Sequence, residues 1–275
     1  MRDGLAAAAP CCAGCGKPLR PGAQFCPGCG RTAAGSAEKA APLPPLIERR
    51  RPASVFDSHW REIKQVGWLF ALLLGSSLIA GVFVRFKPSP WLDVSVSAVD
   101  AFIVMAFAVI HYRDIRPLIG RPALDLREVV TLTMCGLTFV AAMSVYFSLI
   151  KWAGLPILRA TGIFQKAGWP VVSMFALVSL SPAIVEEVAF RGVIQSTLQR
   201  VAGEREALFI QAALFSVLHL MPMMFISHFF MGLCFGYMRI RSKSLYPSMI
   251  LHAAWNAYVL CGELHYGLGA MMLTG

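Results

Sequence analysis

From residue 66 onward, apolar residues run in stretches near the roughly 20 needed to cross a bilayer, separated by short polar or basic clusters. Read as membrane helices, these stretches fall near 66–84, 91–111, 129–150, 171–199, 207–221, 223–239 and 245–261. The fourth begins apolar and ends amphipathic, and Pro182 is placed to kink it. The pattern predicts an all-α polytopic membrane protein, a bundle of about seven transmembrane helices. Residues 262–275 are too few for a secure eighth span but long enough to dip into the membrane. Just before the first span, Phe56, Trp60 and Ile63 recur at i, i+4 and i+7 with Arg61, Glu62 and Lys64 between them. That spacing suits a short interfacial helix, and a plain charged linker is the alternative.

Composition agrees with this pattern: 57% of residues are apolar and 15% charged, which leaves no large soluble core to build. The formal charge of +10 would suggest nucleic acid in a soluble protein, but here basic loops orienting the chain explain it better. With the N-terminus in the cytoplasm, Lys39, Arg49, Arg50, Arg51, Arg61, Lys64, Arg113, Arg116, Arg121, Arg127, Arg191, Arg200, Arg205, Arg239, Arg241 and Lys243 lie inside. Only Arg85, Lys87, Lys151, Arg159 and Lys166 lie outside. The asymmetry predicts N-in, C-out.

The chain opens differently. Leu5 to Ala9 is too short for a secretory h-region, and Pro10-Cys11-Cys12 lacks a small-residue cleavage pattern, so no signal peptide is expected. Cys12-Ala-Gly-Cys15 is followed, after ten residues, by Cys26-Pro-Gly-Cys29. Paired CxxC turns offer four thiolates to one tetrahedral zinc ion, the arrangement of a zinc ribbon over residues 1–32. Cys11 could replace Cys12, but the symmetric spacing favours Cys12. Disulfides or a redox CxxC are the competing reading, disfavoured by the cytoplasmic side and the lack of a βαβ pattern. So small a module cannot bury an adequate core, so zinc would supply its folding energy. Four cysteine ligands close the coordination sphere, which implies a structural or partner-binding role. Residues 33–65 read as an Ala/Pro-rich linker with the interfacial segment, and 66–275 as the membrane domain.

Candidate chemistry lies in the last four spans. Pro182-Ala-Ile-Val-Glu-Glu-Val-Ala-Phe-Arg-Gly192 puts Glu186, Glu187 and Arg191 in or beside a lipid-compatible run. Each central charge there costs roughly 2.5–3.5 kcal/mol on the insertion scale, which demands a reason. Arg191 stands four residues after Glu187, the favourable order for an ion pair, while Glu186 points about 100° away. One glutamate is therefore neutralised within its own helix and the other stays available. His219 follows Phe215 by four residues in the fifth span, and His252 and Asn256 are four apart in the seventh. Counting from a turn near Gly203, Glu186 and His219 should meet at similar depth. Glu186, Glu187, His219, His252 and Asn256 are thus expected to converge on one cavity among these four spans. Ala253 and Ala254 would let a neighbouring helix come close, and Gly232 and Gly236 form a GxxxG packing signal. Asp93, Asp100 and His228 are assigned interfacial or packing roles.

The order Glu-Glu-x-x-x-Arg (Glu186, Glu187, Arg191), Phe-x-x-x-His (Phe215, His219), His-x-x-x-Asn (His252, Asn256) resembles the CPBP family of intramembrane proteases. That family includes CAAX prenyl proteases of the Rce1 type and bacterial Abi proteins. The resemblance covers roughly 170–261 and omits the zinc ribbon. It implies an all-helical intramembrane endopeptidase in which Glu186 activates water with help from His219. Glu187 and Arg191 would orient the site, and His252 and Asn256 would hold the oxyanion. Metal dependence at the membrane site is left open. Glu186, His219 and His252 would also make a two-histidine, one-carboxylate metal set, but Glu187 with Arg191 already accounts for the second charge, which favours a metal-free reaction.

Two other classes compete: an ion-binding or transport bundle, and a catalytically silent scaffold whose zinc ribbon recruits a protein partner. No internal repeat supports transport. The expected partners are the lipid bilayer and a membrane protein or peptide substrate, prenylated or not, and nucleic acid is disfavoured. The chain ends Met-Leu-Thr-Gly without a CAAX signal, and its compact architecture suggests a bacterial inner or plasma membrane.

Overall fold

Helix α1, Trp60–Phe86, begins six residues before the expected span, and Trp60, Arg61, Ile63 and Lys64 form its first turns. The interfacial segment is therefore continuous with the first membrane helix from Trp60 on; Phe56 and the linker 33–58 lie outside the described residues. The structure is a computed structural model describing residues 10–32, 59–120, 122, 124–155 and 161–272, with side chains described as far as residue 265. It divides into two compact units, Met1–Ala53 and Ser54–Gly275.

In the first unit the two CxxC turns are near copies of one another. Cys12 N–H donates to Lys17 O and Gly16 N–H to Cys12 O, as Cys26 N–H does to Arg31 O and Gly30 N–H to Cys26 O. Isolated bridges join Cys11 to Pro18 and Phe25 to Thr32. Gly16 and Gly30 each close their turn at positive φ, +70° and +71°, where glycine has no Cβ penalty. Cys12, Leu19 and Cys26 are the buried apolar contacts among the described residues of this unit, too few to stabilise a fold alone.

The second unit is all-helical among its described residues and integral to the membrane. After α1 come α2 (Pro90–Ile110), α3 (Leu126–Trp152), α4 (Val171–Ala202), α5 (Glu204–Leu218), α6 (Pro222–Ser242) and α7 (Tyr246–Met272). Helices α1, α2, α3, α4 and α6 are each long and apolar enough to cross a bilayer. Their outward faces carry exposed Trp68, Ile79, Phe102, Val109, Leu137 and Val145, as a lipid-facing surface requires. Polar residues are turned inward instead: Glu187, Arg191, Gln195, Thr197, Gln211 and Ser248 are buried. Residues 262–272 extend α7 rather than forming a separate segment.

Sequence sets the helix ends. Asp125 and Glu128 form a capping box at α3, with Glu128 N–H donating to Asp125 Oδ1 at 2.7 Å. Gly203, at φ +96°, turns α4 into α5. Leu220 at φ +53° followed by Pro222 at the start of α6 ends α5 at Leu218, three residues before the expected boundary. The α6–α7 turn is tied to the segment after α2 by Leu245 N–H to Leu118 O and Ser244 Oγ to Gly120 O.

Helix α4 is not uniform. It widens into π-type turns over Phe175–Leu180 and Val188–Ile194, either side of Ser181–Glu187. Pro182 has no N–H to give to the carbonyl of Val178, and a wider turn removes the ring's clash there. Next to this stretch α4 is drawn against α7, where Ser179 Oγ donates to Ala253 O at 2.8 Å. The two glycines of the GxxxG pair on α6 lie instead where α5 crosses it, with Gln195 of α4 beside Gly236. A Cβ on Gly232 would lie 2.6 Å from Ala212 Cα, and one on Gly236 2.5 Å from Gln211 Nε2. Without side chains there, polar groups reach the backbone: Gln211 Nε2 donates to Gly232 O at 2.7 Å and Gln195 Nε2 to Gly236 O at 3.1 Å. The GxxxG signal marks a buried polar seam as well as a close helix crossing.

Candidate active site

The two adjacent glutamates of α4 occupy different environments. Glu187 and Arg191 are both fully buried, and Arg191 Nη1 lies 3.0 Å from Glu187 Oε1. The guanidinium is sandwiched against Phe215 and Phe235, its Cζ 4.6 Å and 5.4 Å from the ring centroids. His252 on α7, also buried, donates from Nδ1 to the same Glu187 oxygen at 3.1 Å. Glu187 is thus held from two helices, by the ion pair with Arg191 on its own and by the hydrogen bond from α7.

Glu186 faces the other way. Its side chain retains 27% of its exposure, and its Oε2 is 3.8 Å from His252 Nε2, beyond hydrogen-bonding distance. It lines a cavity of about 190 Å³ together with His219. His219 sits just past the end of α5, not within a span as expected, because the chain turns at Leu220. Its Nδ1 donates to Phe215 O at 2.9 Å, which leaves the Nε2 of a neutral ring with a free lone pair. The one-turn spacing of Phe215 and His219 thereby sets a tautomer.

The expected convergence of five side chains on one cavity among the last four spans is corrected in two respects. First, Glu187 and His252 stand behind Glu186, and Asn256, half-buried one turn beyond His252, is not among the lining residues. Second, α1 and α2 supply part of the wall, through Leu73, Ser77, Ser97, Asp100 and Val104. Asp100 was assigned a packing role by sequence, yet it lines the cavity. His228, given the same role, lies against His219 with ring centroids 3.7 Å apart and planes tilted by 39°, and donates from Nδ1 to Met224 O. Both could have been noticed as polar residues inside apolar runs, but nothing in their spacing tied them to Glu186.

Among the described residues, one group of three or more His, Cys, Asp or Glu ligands lies close enough to hold an ion: Cys12, Cys15, Cys26 and Cys29, with ligand atoms within 4.8 Å of one another. Glu186, His219 and His252 form no such group. Sulfurs around a zinc at about 2.3 Å would stand about 3.8 Å apart. Cys12 Sγ to Cys29 Sγ is 3.6 Å and Cys15 Sγ to Cys26 Sγ is 3.5 Å, so the set fits zinc. Gly14 N–H points at Cys12 Sγ (3.3 Å) and Gly28 N–H at Cys26 Sγ (3.4 Å). These bonds hold the Cys12 thiol below its ordinary value and the Cys26 thiol down at about 6, toward the thiolate that a metal needs. A Cβ on Gly14 would meet Arg31, and one on Gly28 would meet Lys17, so each knuckle glycine admits a basic chain from beside the other. Cys11 is exposed and stands outside the four-sulfur group.

No curated protein and no solved structure matches the chain. Residues 168–258, which contain Glu186, Glu187, Arg191, His219, His252 and Asn256, match the family model described as type II CAAX prenyl endopeptidase Rce1-like, and this match points to intramembrane endopeptidase activity.

Proposed function

We propose that this protein is an intramembrane endopeptidase that hydrolyses peptide bonds of membrane-associated proteins or peptides, with Glu186 as the base that activates water. The observation that carries this reading is the sharing of one cavity by Glu186, which accepts no hydrogen bond from His252, and His219, inside a segment similar to a protease family. Water between Glu186 and His219 Nε2 loses a proton as it attacks the scissile carbonyl, and Glu186 passes that proton to the leaving amine. Glu187 and Arg191 position the site, since together they fix His252 through its Nδ1. The Asn256 amide is the donor assigned to the oxyanion, joined by His252 Nε2–H when that ring carries both protons, its Nδ1–H being held by Glu187.

In this reading residues 66–275 form the catalytic domain, 33–65 a linker, and 1–32 a zinc ribbon that holds zinc through Cys12, Cys15, Cys26 and Cys29 and offers a surface to a protein partner. The zinc supplies folding energy to that module. The excess of basic residues on one side of the spans supports a cytoplasmic N-terminus, with the chain held in an inner or plasma membrane.

Wild type and Glu186→Gln, purified into liposomes with extracted membrane proteins, test the reading by mass spectrometry of new peptide ends. New ends with wild type alone are expected, and equal cleavage by both removes Glu186 as base. Metal analysis completes the test. One zinc per chain, lost in Cys26→Ser, is expected; zinc kept by Cys26→Ser but lost on His219→Ala would turn the mechanism to a metal-assisted one.

A further inference from the structure

The cavity shared by Glu186 and His219 has a second acidic wall. Asp100 and Ser97 of α2 lie on it one turn apart, with Ser77 from α1 beside them. The rest is largely apolar, including Leu73, Val104 and Leu218. No lysine or arginine is among the described lining residues. The closest guanidinium on α4, Arg191, is fully buried and engaged by Glu187. Ser76 reaches the Asp100 carboxylate, while Asp100 Oδ1 and Glu186 Oε2 have no hydrogen-bond partner among the described residues. A cavity wall that carries two carboxylates and serine hydroxyls but no lysine or arginine suits a ligand that brings positive charge or donors.

We propose that the Asp100 wall is a subsite for a cationic side chain, so that the preferred substrates carry lysine or arginine next to the scissile bond. This rests on the proteolytic reading and names the substrate class of the same site. A lysine or arginine stem would lie along Leu73 and Val104, with its charged head between Asp100 and the hydroxyls of Ser77 and Ser97. At about 190 Å³ the cavity is modestly larger than the roughly 150 Å³ that holds a benzene, which suits one long side chain. Glu186 remains beside the bond to be cut. Ser77, Ser97 and Asp100 fall outside residues 168–258, so the subsite belongs to the part of this chain that the family match does not reach.

The test uses two fluorescent apolar peptides, identical except for one central lysine or norleucine. Binding to detergent-solubilised full-length protein is read by anisotropy, with cleavage followed in the same samples. Norleucine partitions better into micelles, so non-specific uptake works against the expected result. Wild type should bind the lysine peptide about tenfold more tightly, because a buried polar site left unpaired rejects the neutral isostere. Asp100→Asn should abolish that difference, Asp100→Glu should restore part of it, and Glu186→Gln should keep it while losing cleavage. Equal binding of the two peptides by wild type, or a preference that survives Asp100→Asn at an unchanged melting temperature, overturns the subsite. The former is also the result expected if Asp100 and Glu186 merely share a proton. A lysine preference without cleavage of either peptide supports the subsite and counts against the proteolytic reading, so the two fail separately.

Discussion

Glu186 and Glu187 are neighbours on α4, yet one lines a cavity and the other is sealed between Arg191 and His252. Glu187 is fully buried against Arg191 and His252, while Glu186 keeps 27% of its exposure and lies beyond hydrogen-bonding distance of His252. The helix geometry alone separates them by about 100°. Around them, the π-type turns on either side of Ser181–Glu187 let α4 pass Pro182. The contrast teaches that a charge in a membrane helix can serve two ends. A compensated charge fixes the packing of α4 on α6 and α7, and an uncompensated one is left for chemistry.

If that division holds, substitutions on the two faces should part stability from activity. The largest effect on stability is expected at the sealed face: Glu187→Ala strands a buried guanidinium and should destabilise the protein by about 3–5 kcal/mol in denaturant unfolding. The double variant Glu187→Leu with Arg191→Met should recover most of this loss, since apolar pairs of similar volume often replace buried ion pairs without cost. Next comes Asn256→Ala, which should lower kcat by roughly 10²–10³, the usual effect of losing one oxyanion donor, with little change in melting temperature. A fall in stability with kcat intact would move Asn256 to the structural side. Gly232→Ala would place a methyl 2.6 Å from Ala212 Cα and should cost about 1–3 kcal/mol, read by the same unfolding assay. The smallest effect is expected for Ser179→Ala, which removes one bond to Ala253 O and should cost about 0.6 kcal/mol, typical of interhelical bonds in membranes.

Much of this was legible in the sequence, for reasons that differ between residues. The seven helices follow from apolar runs and from Gly203 and Pro222, which act locally. The Glu187–Arg191 pair follows from i, i+4 spacing, and the four-thiol group from two CxxC turns in a short segment, where spacing nearly determines distance. The cavity's other wall was hidden, because placing Asp100 against Glu186 requires knowing that α1 and α2 pack on α4. That is tertiary information, and an isolated aspartate in an apolar run reads equally well as interfacial. His219 was misplaced within a span because the reversal at Leu220 depends on a positive φ at a leucine, which no residue type announces. The role of Gly232 and Gly236 was seen only as close packing. Their carbonyls also accept from Gln211 and Gln195, and those side chains come from other helices.

The most direct measurement is the cleavage rate of Glu186→Gln against wild type on one identified substrate in liposomes, with the melting temperature taken on the same preparation. The account predicts a rate lower by about 10²-fold or more at an unchanged melting temperature, as befits the loss of a general base that stabilises nothing. A rate close to wild type, or a loss of rate that tracks a loss of stability, would contradict it.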